Sequence, residues 1–172
     1  AERLRIGRYR FKPGDVSFDR CPGCGLPAEV SRCGWDLENG VITDGESGRR
    51  MALFGPRSFD AILGDLEAEL GGAVPDAVIA AQQDYVRKNM SARDWNLDAE
   101  SFRRSIASRG LGNLVRFEGD ASSLRVTVEN ACLPLLMVGT TVGMVELAYG
   151  REASSCDWSF SSEGDLAISV FL

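Results

Sequence analysis

The stretch Cys21-Pro22-Gly23-Cys24-Gly25 carries the side chains best suited to chemistry. Two thiols two residues apart, with glycines inside and behind, fit a tight turn that aims both sulfurs at one ion. A redox Cys-x-x-Cys pair normally sits at a helix N-terminus, where the local field lowers a thiol pKa. Gly25 and Pro27 speak against a helix following directly. The motif therefore reads as a zinc knuckle, with a free or oxidised thiol pair as the alternative. A structural zinc site takes four ligands, and the knuckle supplies two. Cys33 is the nearest further thiol, Cys132 and Cys156 are distant ones, and a second subunit's knuckle is another source. The candidate metal set is Cys21, Cys24, Cys33 and Cys156.

Other chemistry is removed by composition. The chain has 172 residues and no histidine, which eliminates Ser-His and Cys-His nucleophile pairs and every imidazole metal ligand. Five cysteines with one Cys-x-x-Cys spacing fit a reducing compartment and metal-binding thiols better than a disulfide scaffold, so the expected location is cytoplasmic. A net charge of −6 argues against general nucleic-acid binding, which depends on neutralising phosphates. No apolar run approaches the ~18–20 residues that span a bilayer. Residue 1 is Ala and no signal peptide is visible; the reading is a trimmed chain start and an apolar C-terminal alternation that a longer protein could continue.

The elements that must position these groups follow from periodicity. Glu2 to Lys12 reads as a strand with a bulge at Gly7 and a basic outer face, most simply a solvated edge. Trp35 to Asp44 reads as a hairpin turning at Asn39-Gly40, with Trp35 as a core anchor, and Arg49 to Phe54 as another strand. Phe59, Ile62, Leu63, Leu66 and Leu70 recur at helical spacing over 56–70, and Val78, Ile79, Gln82, Tyr85, Val86 and Met90 over 75–90. Ser91 to Asn96 is a linker, and a third helix covers 98–108, stopped by Gly110. Strands are predicted over 113–118, 124–129, 153–160 and 166–172. Between the two pairs, Leu135 to Tyr149 makes a central helix. Glycine inside a helix costs roughly 0.8–1 kcal/mol against alanine, so Gly139 and Gly143 imply close approach of a second backbone or of a flat ligand. The fold class is α+β: an antiparallel sheet packed on a helical layer, with a small N-terminal β and knuckle extension. The division is 1–47 and 48–172.

The C-terminal block resembles the 4-vinyl reductase domain family of small-molecule-binding domains. The resemblance rests on Gly110-Leu111-Gly112, Val128-Glu129-Asn130, Cys132, Gly139-Thr140-Thr141-Val142-Gly143, Glu146-Leu147 and Gly150-Arg151-Glu152. Upstream, Gly48-Arg49-Arg50-Met51 through Asp84-Tyr85 resembles that family's opening strand and two helices. It implies binding modules for hydrophobic molecules, and one branch is linked to bacteriochlorophyll synthesis. It also implies a zinc site near the last two strands. Glu152 and Cys156 match the start of that pattern, while Glu163-Gly164-Asp165-Leu166 stands where the later cysteine belongs.

The expected function is a non-catalytic binding or sensing module for a small hydrophobic molecule, zinc-stabilised and homodimeric. The expected pocket lining is Phe59, Leu63, Trp95, Phe102, Ile106, Met137, Gly139, Gly143, Met144 and Trp158, since such pockets are mostly apolar. One alternative is a scaffold that recruits a protein partner through the knuckle and the basic first strand, with a filled core. The other is an enzyme acting on a tetrapyrrole-like substrate. Against that stand the missing Gly-rich dinucleotide fingerprint and the lack of a paired carboxylate couple.

Overall fold

Residues 11–45, 47–90 and 98–172 are described by a computed structural model. They fall into two units, Asp15–Gly55 and Pro56–Leu172, the second joined by the chain start through Gly14. The expected strand from Glu2 to Lys12 lies outside the described residues up to position 10, and Phe11 and Lys12 are in no strand. The division expected at 47/48 cuts the smaller unit before its last strand.

The smaller unit carries a one-turn helix, α1 (Ala28–Ser31), and three short strands, β1 (Gly34–Asp36), β2 (Val41–Thr43) and β3 (Arg50–Met51). They pair antiparallel in the order β1-β2-β3. Asp36 opposes Val41, so the hairpin closes through four residues, not through a two-residue Asn-Gly turn. The Asp36 carboxylate accepts from the Asn39 amide side chain and backbone N–H at 2.9 and 3.0 Å. Those bonds explain the longer loop and hold the Asp36 carboxyl below the usual range. Trp35 is 54% exposed, not a core anchor. A three-residue strand in so small a sheet offers no second layer to cover it.

In the larger unit three helices come first: α2 (Pro56–Leu70), α3 (Ala73–Asn89) and α4 (Ala99–Ser108). Gly71, at φ +86°, ends α2, a backbone conformation that glycine adopts without strain. Asp98 caps α4 by accepting from the Ser101 N–H at 2.8 Å, a contact worth about 1 kcal/mol. Then follow β4 (Asn113–Gly119), β5 (Ser123–Glu129), α5 (Pro134–Tyr149), β6 (Ser155–Phe160) and β7 (Leu166–Phe171).

The sheet is antiparallel with the order β4-β5-β7-β6. The last strand thus lies inside the sheet, between β5 and β6. Leu124, Val126 and Val128 on β5 and Leu166, Ile168 and Val170 on β7 point to the core face, each side chain contributing roughly 1.5–3 kcal/mol by leaving water. Helix α5 is apolar on all sides and is buried along most of its length, as a helix without a polar face must be. Proline fits its first position, and Gly150 closes it at φ +65° with its N–H on the Glu146 carbonyl. The fold class is α+β, an antiparallel sheet against a helical layer.

Candidate functional sites

Glycine spacing decides how α5 meets α3. A Cβ added at Gly139 would lie 2.5 Å from the Ile79 carbonyl oxygen and 2.7 Å from Gln82 Cβ. One added at Gly143 would lie 2.8 Å from Val86 Cβ and 2.9 Å from the Gln83 carbonyl oxygen. Of the two occupants that the sequence allows, the main chain of α3 is the one present. The polar side chains along this seam pair across it: Gln82 Nε2 donates to Thr140 Oγ1 at 3.0 Å, and Gln83 Nε2 to Glu146 at 2.9 Å. Glu146, only 5% exposed, also accepts from the Ala153 N–H at 2.8 Å and faces the Arg87 guanidinium at 3.9 Å. One carboxylate therefore ties the end of α5, the loop after it and α3 together. Periodicity alone gave no sign of this, because a glutamate in an apolar helix has no partner visible in sequence.

The expected lining residues separate into three groups. Phe102, Ile106, Met137 and Met144 are buried in the hydrophobic core, with the Phe102 ring 6.0 Å from that of Phe117. Trp158 is half-buried against the same core, edge-on to Phe160 at 6.4 Å. Phe59 and Leu63 are half-buried on α2, and Trp95 lies outside the described residues. Leu63 lines a cleft: Asp60 and Leu63 of α2 face Leu133, Pro134, Leu135 and Leu136 at the start of α5. Its volume is about 10 Å³, room for one water, whereas an engineered cavity of about 150 Å³ takes benzene.

Two features mark the neighbourhood of this cleft. Asp60 is the polar residue in its lining, and burial pushes that carboxyl upward. Burial first, and then the Asp60 charge, push the Cys132 thiol up as well. Helix α2 itself has no buried residue, and Ile62, Leu66 and Leu70 on its apolar stripe are 57, 41 and 69% exposed. An apolar stripe normally faces the core; here it is left half open.

In the smaller unit, residues Cys21 to Gly25 form a tight backbone turn. The Gly25 N–H donates to the Cys21 carbonyl and the Cys21 N–H to the Leu26 carbonyl, both at 2.8 Å, and Gly25 takes φ +73°. The backbone N–H groups of Cys24 and Gly23 then point at the Cys21 sulfur, joined by the Cys24 and Ser31 side chains, and lower its pKa to about 7. Cys33 does not join them: its sulfur turns to the Met51 thioether at 4.0 Å. Among the described residues no three Cys, Asp or Glu side chains gather to hold a metal. The expected four-thiol set is thus not gathered among the described residues; Cys33, just before β1, turns its sulfur to Met51 of β3. Cys156 belongs to the larger unit, on β6, where burial and then Asp157 push its thiol up to about 11. Glu152 is spent on Arg87 at 3.2 Å.

No family model matches the chain, and no curated protein does. Solved structures do match. The phenol-responsive sensory domain of the transcription activator PoxR, solved with phenol, superposes with a TM-score of 0.60 at 12% identity, covering 83% of this chain and 86% of that one. The fold is shared with a sensory domain. A Cs H-NOX mutant aligns over 83% of this chain and 82% of its own at 8% identity, with a TM-score of 0.43. No helix among the described residues is long and apolar enough to cross a membrane.

Proposed function

We propose that the chain is a non-catalytic sensing module for a small hydrophobic molecule, with α2 as the movable wall of its site. The observation that carries this reading is α2 itself, an amphipathic helix with no buried residue set over a cleft that holds one carboxyl group. The α3–α5 seam is filled by α3 at Gly139 and Gly143, so in this reading the guest sits at the cleft beside α2. Moving α2 outward widens the cleft at Leu63 and Leu135 and leaves Asp60 to accept from a hydroxyl or amine on the guest. A minor open state made dominant by its ligand is thermodynamically ordinary, costing the few kcal/mol that separate the two states. The phenol named for the PoxR domain makes phenol the first probe. In this reading zinc at Cys21 and Cys24 rigidifies the smaller unit, and the chain acts as a homodimer.

The test is a thermal-shift titration with phenol, toluene and naphthalene, paired with native mass spectrometry of freshly purified protein. A ligand at 100 times its Kd stabilises by about 2.7 kcal/mol, a shift of several degrees. A flat response to all three, with no copurified mass, would remove the sensing reading. A scaffold would then take its place. The filled α3–α5 seam favours that second reading, and the exposed stripe of α2 would be its contact face.

A further inference from the structure

The knuckle is chemically incomplete. Cys21 and Cys24 flank a tight turn, closed by the Gly25 N–H on the Cys21 carbonyl and the Cys21 N–H on the Leu26 carbonyl, with Gly25 in the left-handed region, the backbone arrangement of half a structural zinc site. Cys33, the other thiol of the smaller unit, has its sulfur against Met51, and among the described residues no third Cys, Asp or Glu gathers with the pair. Cys24 is exposed and Cys21 half-exposed, so the missing ligands have an open approach. Arg20 lies beside the turn, its guanidinium donating to the Gly25 carbonyl at 3.1 Å. A zinc ion with four thiolates carries a charge of about −2, and a cation fixed at the turn offsets part of it. Most homodimers are two-fold symmetric, with the same patch facing itself.

We infer that two copies of the chain share one zinc ion, each giving Cys21 and Cys24, so that the metal is the joint of a homodimer. This rests on the proposed zinc at the knuckle and specifies the source of its other two ligands. Each thiol loses its proton to solvent as the Zn–S bond forms, and no oxidation state changes. Guests and metal would then act on different units of the chain.

The experiment is metal analysis with native mass spectrometry on the full chain purified from zinc-supplemented culture, and X-ray absorption at the zinc edge. About half a zinc per chain, a dimer mass that carries one ion, and a shell of four sulfurs are expected. Cys33→Ala keeps that ratio, whereas Cys24→Ser drops zinc content at least tenfold. One zinc per chain on a monomer overturns the sharing and leaves zinc at the knuckle standing. A zinc-free protein with a Cys21–Cys24 disulfide or two alkylatable thiols overturns both. Should Cys24→Ser fail to fold, the wild-type ratio and sulfur count still decide.

Discussion

Cys21 and Cys156 differ by environment, and that difference is measurable. Hydrogen bonds to the Cys21 sulfur bring its pKa to about 7, while burial lifts Cys156 to about 11. Since the thiolate is the nucleophile, iodoacetamide modifies Cys21 first in chelator-treated protein. Its rate rises about fivefold from pH 6 to 7 and levels off above pH 8, followed by peptide mass mapping; Cys156 stays unmodified throughout. Asp60 gives a second prediction. Its folded pKa is raised by burial, so the native state holds the proton longer than the unfolded chain, and stability falls as pH climbs past the ordinary value of 3.8. Asp60→Asn removes that loss, so its melting temperature exceeds wild type at pH 7 and equals it near pH 3. A wild-type advantage at pH 7 would mean that the carboxylate has a favourable partner.

The seam between α3 and α5 sets the cost of substitutions. Gly143→Ala places a methyl 2.8 Å from Val86 Cβ, and overpacking of that kind costs about 1–3 kcal/mol, more than the ~1 kcal/mol that alanine returns in helix propensity. A Cβ added at Gly64 in α2 meets nothing within 4 Å, so Gly64→Ala stabilises by about 0.5–1 kcal/mol. Urea denaturation of the two variants should therefore move in opposite directions. Glu146→Ala leaves Gln83 and the Ala153 N–H without their acceptor and lowers stability by about 2–3 kcal/mol in the same assay. The helices were legible in sequence because their apolar spacing is strong: α2 begins and ends where predicted, and α5 gains only Pro134. The notch at Gly139 and Gly143 was legible too, but not its occupant, since spacing says that something approaches and not what. The surroundings of Cys33 were not legible, because whether its sulfur meets Cys21 and Cys24 depends on how the chain enters a three-residue strand. Nor was the cleft: Asp60 sits in the predicted helix with no sequence mark apart from its position between Phe59 and Leu63.

For the whole molecule, the contrast between α2 and the α5-centred core predicts uneven dynamics. Amide hydrogens of α2 exchange well before those of α5, β5 and β7, and a bound apolar guest slows α2 selectively. Leu63→Trp, which fills the cleft from the α2 side, should weaken phenol binding at least tenfold while leaving the far-UV spectrum unchanged. Equal protection of α2 and α5 in hydrogen exchange would contradict a wall that opens.

The position of β7 has a consequence for how the protein comes to exist. Because residues 166–171 fill the slot between β5 and β6, the backbone N–H and C=O groups along two strand edges stay unpaired until nearly all of the described chain has been synthesised. Closure joins segments some forty residues apart, as with Val126 and Ile168, and such distant pairings slow folding. A nascent chain stalled before Leu166 would carry an open groove of strand width, a natural target for chaperones and a nucleus for aggregation.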